Sequence, residues 1–173
     1  MLETQRLRFR RLIWDDLDEM VAMRSDPDVA RYIGGERART REFNETRLKF
    51  YLDCYDKFGF GMMATIFKPD DKLIGWCGLQ PLEDTGEIEL GYGFIKEYWG
   101  RGLGEEAARA WLDYGFRVAG LERIVAVASP HNRGSWRIME KCGMTYEKTE
   151  QHYNENLVFY AISRDTFFRN NQF

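Results

Sequence analysis

The stretch "YWGRGLGEEAARAW", Tyr98 to Trp111, decides how this chain is read. Gly100, Gly102 and Gly104 alternate with Arg101 and Leu103, and two glutamates then lead into a helical pattern. Glycine is a costly start for a helix, because it gives up more backbone entropy on folding than any other residue. It belongs where something must approach the backbone. The first N–H groups of a helix are unpaired and carry partial positive charge, so they bind anions. With no side chains at 100, 102 and 104, a diphosphate can reach those groups directly. A purely structural glycine turn is the competing reading.

Working outward, the helix is expected over about 102–118, with Leu103, Ala107, Trp111, Tyr114 and Val118 on one face. Glu105 with Arg109, and Asp113 with Arg117, are i,i+4 pairs in the favourable direction. Glu105 and Glu106 suit the helix dipole but would repel a phosphate, so the anion reading requires both to point away. Gly102 to Ala107 also satisfies the dinucleotide fingerprint G-x-G-x-x-A, with Glu122 about twenty residues on. That fingerprint follows a buried parallel strand directly, whereas the polar link "KEYW" intervenes here and Glu122 precedes its strand. The context argues against a Rossmann unit.

Upstream, "EIELGYGFI" has strand alternation. Glu87, Glu89, Gly91, Gly93 and Ile95 share one face, and Ile88, Leu90, Tyr92 and Phe94 form a core face. The first face reads as a trough beside an acid. The bland alternative for either glutamate is a solvated strand position.

The remaining elements place this unit. "TQRLRFRRL" alternates as a first strand, and "LDEMVAMRS" reads as a helix stopped by Pro27. "TREFNETRLKFYLDCYDKF" is an amphipathic helix capped by Thr40, with Phe43, Arg47, Phe50 and Cys54 along one stripe. "FGMMATIFK" and "KLIGWCGLQP" are strands, as is "ERIVAVAS" after the glycine-led helix. "NRGSWRIMEKCG" is a helix ended by Gly143, and "MTYEKTE" and "NLVFYAISR" form a last strand pair. The order indicates an α/β chain of the α+β, mixed-sheet kind, without regular βαβ alternation.

With 173 residues, 44% hydrophobic and 31% charged, the chain suits one domain spanning 1–173. A net charge of −3 gives no basis for nucleic-acid binding. No apolar run approaches the ~20 residues of a membrane helix. The opening "MLETQRLRFRRL" lacks an apolar leader core, so a cytoplasmic protein is expected. Cys54, Cys77 and Cys142 are odd in number and widely spaced, which fits reduced thiols and no metal site. Asn44-Glu45-Thr46 matches a glycosylation acceptor by chance.

Taken together, "ELGYGFIKEYWGRGLGEEA" resembles the signature of the GNAT N-acetyltransferase superfamily, and specifically its RimJ/RimL-type branch. Arg101, Gly104 and Glu105 stand where that branch typically has Lys, Ala and Thr, and Trp99 replaces the superfamily's Arg or Gln. "LETQRLRFRRL", "KLIGWCGL" and "NRGSWRIMEKCGM" resemble other parts of the branch. Met144 departs from its usual Phe, and the last strand lacks its common Asp. The resemblance implies a splayed, mainly antiparallel sheet of about seven strands with about four helices, gripping coenzyme A. It places the diphosphate on the N–H groups of Arg101, Gly102, Leu103, Gly104 and Glu105, and the pantetheine arm along the backbone near Phe94 and Ile95.

The implied reaction transfers acetyl from acetyl-CoA to a primary amine, on a small molecule or a protein N-terminus. An alkyl ammonium has a pKa near ~10.4, so a base must take its proton. Glu89, beside the glycine trough, is the first candidate and Glu87 the second. The oxyanion needs a donor, a backbone N–H near Phe94 or Ile95. For the leaving thiolate, Ser135 heads an apolar helix face with Ile138, Met139 and Cys142. Many relatives carry a Tyr acid where Met139 stands, and the branch uses the Ser. Asn132 reads as an N-cap, with a pantetheine contact implied by resemblance. Weighed against this are a covalent route through Cys142 with His131 or His152, a silent acyl-CoA sensor, and a longer acyl donor. Tyr32, Phe43, Phe50, Tyr51, Trp76 and Tyr153 are candidates to line an acceptor pocket.

Overall fold

The computed structural model describes residues 2–170. Alternation puts Leu7 and Phe9 of β1 (Leu7–Arg11) inside the core, while the arginines between them work outside it. Arg10 grips Asp16 through two bonds of 2.7 Å, and Asp16 also accepts the Ile13 N–H at 2.9 Å. This clamp fixes the turn into α1 (Leu17–Ser25). Pro27 does more than stop that helix. It opens a second, α2 (Pro27–Ala30), where its missing N–H costs nothing and Asp26 caps the Asp28 N–H at 2.8 Å.

α3 (Arg41–Phe58) begins at Thr40, whose hydroxyl accepts the Phe43 N–H, and ends at Gly59 with φ 76°. Its buried face is Asn44, Leu48, Tyr51 and Cys54, so the expected Phe43–Arg47–Phe50 stripe is turned by one residue. A buried Asn is tolerable because its amide is satisfied: Nδ2 donates to Ala38 O at 2.9 Å and Thr40 O at 2.8 Å. Burial at 0% exposure also disposes of the glycosylation match.

Then follow β2 (Met62–Phe67), β3 (Lys72–Pro81), β4 (Ile88–Phe94), α4 (Leu103–Arg117), β5 (Arg123–Ala128), α5 (Arg133–Lys141), β6 (Thr145–His152), β7 (Glu155–Ser163) and α6 (Arg164–Asn170). One seven-stranded sheet runs in the order β1-β2-β3-β4-β5-β7-β6. All neighbours are antiparallel except β4 and β5, which are parallel and joined through α4. The mixed, mainly antiparallel sheet agrees with expectation. The described residues form six α-helices, more than the four expected. The additions are the one-turn α2 and the two-turn α6, neither long enough to show periodicity.

α4 buries Leu103, Ala107, Ala108, Trp111, Leu112 and Phe116 against one sheet face. Val118, expected on that face, is 69% exposed because the helix ends at Arg117. Each large side chain withdrawn from water here contributes about 1.5–3 kcal/mol. α1 and α3 cover the other face, over Met62, Ala64 and Trp76. Between β4 and β5 the register holds a single pair, Glu89 with Val125. Beyond it, toward Phe94, the two strands part. That splay is the feature that positions the site.

Candidate active site

Glu89 lies at the point where the strands separate, and it is 6% exposed. Its Oε2 accepts the Gln80 amide at 3.0 Å and the Tyr153 hydroxyl at 2.5 Å. Burial pushes its pKa above the ordinary carboxylate value, against the opposing pull of those two donors. Tyr153 reaches it from the β6–β7 turn, where Tyr153 and Asn154 both adopt left-handed φ of 53° and 63°. Glu83 ties that turn down, accepting the Tyr153 N–H at 3.1 Å and holding His152 at 2.9 Å. Glu87, the second candidate, faces elsewhere and pairs with Arg123 at 3.1 Å.

Glu89 opens into a cavity of about 490 Å³ between the β4–β5 splay and the α1–α3 side. The trough expected along Gly91 and Gly93 is not vacant. A Cβ at Gly93 would lie 2.2 Å from the Trp76 ring, and one at Gly91 would lie 2.4 Å from Met62 Cε. The glycines are there so that Trp76 and Met62 can floor the cavity. Of the six aromatic candidates, Tyr32, Phe43, Tyr51, Trp76 and Tyr153 line it, and Phe50 packs in the core beside it.

The glycine loop sits at the open end of the splay. Gly100 and Gly102 have φ of 72° and 76°, a turn that side chains resist, and Gly102 is the N-cap of α4. The first helical bond back is from Glu106 N to Gly102 O, so the N–H groups of Leu103, Gly104 and Glu105 face forward. Both glutamates are drawn aside as the anion reading requires. Glu105 pairs with Arg109 at 3.0 Å and Lys141 at 3.3 Å. Glu106 turns to β1, accepting from Thr4 Oγ1 at 2.5 Å, Arg6 N at 2.8 Å and Arg6 Nε at 2.6 Å. The Arg101 guanidinium stacks over Tyr98 and Phe67 at 4.7 and 4.9 Å. At Gly104 a Cβ would stand 2.7 Å from Ile138 Cδ1, so this glycine also lets α4 approach α5.

Along β4, the antiparallel rule alternates the direction of backbone groups. Ile95 N donates to Ile74 O at 2.9 Å and is thereby spent on β3. Phe94 is the next residue back and turns its N–H toward the splay, so of the two expected backbone donors it is the one available. Its carbonyl accepts the Trp99 indole at 2.7 Å.

Across the cavity, Asn132 caps α5 by accepting the Ser135 N–H at 3.2 Å, as expected. Ser135 Oγ donates to the Tyr92 hydroxyl at 3.2 Å, and that hydroxyl donates to Ser135 O at 2.9 Å. Burial raises the Tyr92 pKa, so the phenol keeps its proton. Met139 lines the cavity without any polar group. Cys142 is buried, its thiol pushed up to about 11, and His152 is held by Glu83 and Glu150. A thiolate nucleophile is therefore not supported.

A cleft between two parallel strands that part at a buried carboxylate, closed at its far end by a glycine-built helix N-terminus, is the arrangement the signature implied. The sequence profile of the acetyltransferase (GNAT) domain matches residues 6–145. The chain belongs to the GNAT acetyltransferase family. Like other GNAT enzymes it is an acetyltransferase with acetyl-CoA as acyl donor. YkkB of Bacillus subtilis is 34% identical over 169 residues, covering 92% of this chain and 93% of that protein. The structure of an acetyltransferase from Agrobacterium tumefaciens superposes with a TM-score of 0.82 at 26% identity, covering 93% and 92% of the two chains. The ribosomal-protein-S5-alanine acetyltransferase of Vibrio fischeri shares the fold, with a TM-score of 0.75 at 20% identity over 94% and 96% of the chains. No helix among the described residues is long and apolar enough to cross a membrane.

Several pairings of this GNAT site carried no local signal. Gln80, Arg47 and Tyr153 meet Glu89 or its partners from three separate elements. Tyr92 read as a plain core residue. Its phenol ends at Ser135 because the ring is long enough to cross from β4 to α5.

Proposed function

We propose that this chain acetylates a primary amine by direct attack on acetyl-CoA, with Glu89 as the base. The observation that carries the proposal is a buried carboxylate at the β4–β5 divergence, open to the cavity and raised in proton affinity by burial. The attacking nitrogen forms a bond to the acetyl carbon and passes its proton to Glu89, directly or through a water. The Phe94 N–H steadies the oxyanion, the carbon–sulfur bond breaks, and the thiolate takes a proton from the Ser135 hydroxyl. The N–H groups of Arg101 to Glu105 hold the diphosphate. Asn132 borders the path of the pantetheine arm. We read residues 1–173 as one such domain acting in the cytoplasm.

The Tyr98-Trp99-Gly100-Arg101-Gly102 run supports the RimJ/RimL-type branch, as does the fold shared with the ribosomal-protein acetyltransferase. The acceptor is a small amine or a protein N-terminus. The test is release of free thiol from acetyl-CoA when amines and short peptides are supplied. An acyl-CoA sensor on the same fold would bind and stop, and thiol release that never depends on amine would overturn the proposal.

A further inference from the structure

The cavity holds a second charged feature, opposite Glu89. Arg24 is 2% exposed, and among the described residues no carboxylate lies within ion-pair distance of it. Its Nη1 donates to Asn44 Oδ1 at 3.2 Å and its Nη2 to the Tyr51 hydroxyl at 3.1 Å, while its plane covers Trp76 at 4.2 Å. Its Nε, wholly buried, has no partner among the described residues. Arg47 likewise lacks an ion pair there. It donates to the Tyr51 hydroxyl at 3.4 Å and to Gln80 Oε1 at 3.1 Å.

A buried guanidinium without a counter-charge costs several kcal/mol, so Arg24, with the half-buried Arg47 adding a second positive charge at the same phenol, calls for an anion. Tyr51 sits between them, and its oxygen accepts from both. Its own O–H hydrogen is thereby free to donate into the cavity that all three residues line. Burial raises the Tyr51 pKa, yet the Arg47 and Arg24 charges outweigh it and hold the phenol below its ordinary value. The potential at this wall is therefore positive.

We propose that Arg24, Arg47 and Tyr51 bind a carboxylate on the acceptor, so that the substrate class is small amino acids bearing the reacting amine and a carboxylate a few bonds apart. This rests on the acetyltransferase reading of Glu89 and deepens it. The spacing is set by Gln80. Its amide oxygen takes Arg47 and its amide nitrogen takes Glu89 at 3.0 Å, so the two charges stand one side-chain amide apart. That is the scale of a compact zwitterion. The planar fork of a guanidinium matches a carboxylate. Polyamines would bring further ammonium groups against the arginines.

The experiment is thiol release from acetyl-CoA with free α-amino acids, each paired with its α-carboxamide, alongside spermidine and a peptide amide with a free N-terminus. For the preferred side chain, the acid should exceed its carboxamide in kcat/KM by roughly 10²-fold or more, because the carboxamide leaves buried donors unpaired. Arg47→Gln should collapse that ratio toward one by raising KM for the acid. The wild-type ratio is independent of whether any variant folds. Equal turnover of acid and carboxamide, or preference for spermidine or the peptide amide, would overturn the carboxylate site while leaving the acetyltransferase intact. Thiol release with none of these amines, despite bound acetyl-CoA, would overturn the acetyltransferase reading itself.

Discussion

The Tyr153 hydroxyl donates to Glu89 Oε2 at 2.5 Å, from 64 residues away in sequence. A phenol that donates to a carboxylate stabilises its charged form, whereas burial of the same carboxylate favours its protonated form. The proton affinity of Glu89 is the balance of the two. Tyr153 also pays its part structurally, since it stands in a left-handed turn that Glu83 anchors.

Glu89→Gln keeps size and hydrogen bonding but cannot take a proton. Turnover should fall by about 10²–10⁴-fold with acetyl-CoA affinity spared. Part of the loss should return at high pH, where the amine deprotonates unaided. Steady-state kinetics across pH check this, and wild-type turnover at neutral pH would place the base elsewhere.

Tyr153→Phe removes the donor and leaves the burial. The Glu89 pKa, already raised, should rise further, because the charged form loses a hydrogen bond. The acid limb of the kcat/KM profile, on which activity is lost as pH falls through that pKa, should move to higher pH. An unmoved limb would separate Tyr153 from the base.

Ser135→Ala removes the hydroxyl proposed to protonate the leaving thiolate. Turnover should fall, and raising the pH should not restore it, since a proton donor has been lost. If Tyr92→Phe costs more than Ser135→Ala, the phenol is the terminal donor. Single-turnover measurements on both variants decide the order.

Gly104→Asp places a carboxylate at the start of α4 and a Cβ against Ile138. Coenzyme A should no longer raise the melting temperature of this variant, although it should do so in the wild type. Gly104→Ala is the control for crowding alone: it should lower Tm slightly and retain the shift.

Glu106 joins α4 to β1 through Thr4 and Arg6. Burial raises its pKa, but those hydrogen bonds and the Arg6 charge leave it below the ordinary value. A depressed folded pKa adds stability above the unfolded value and loses it as pH falls through the folded one. Glu106→Gln should therefore cost about 1–2 kcal/mol in denaturant unfolding at pH 7. The difference from wild type should close in acid. A constant difference across pH would assign the loss to packing.

Local chemistry in the chain was enough to place the glycine-led helix, the strand carrying Glu89, the Asn132 cap and the seven-strand pattern. Backbone freedom, alternation and capping act over a few residues, so the sequence displays them directly. An acid beside glycines and a hydroxyl heading an apolar face marked Glu89 and Ser135 as candidates, and the resemblance to the acetyltransferase signature chose them over the bland readings. The one-residue turn of α3 was not legible, since its inward face is chosen by what α1 and the sheet present to it. Nor were the partners of the site. Tyr153 and Gln80 meet at Glu89, Arg47 meets Gln80, and Arg24 meets Tyr51, only once hairpin, sheet and helix are assembled. Hydrogen bonds across such separations depend on where whole elements stop, and tertiary packing alone decides that.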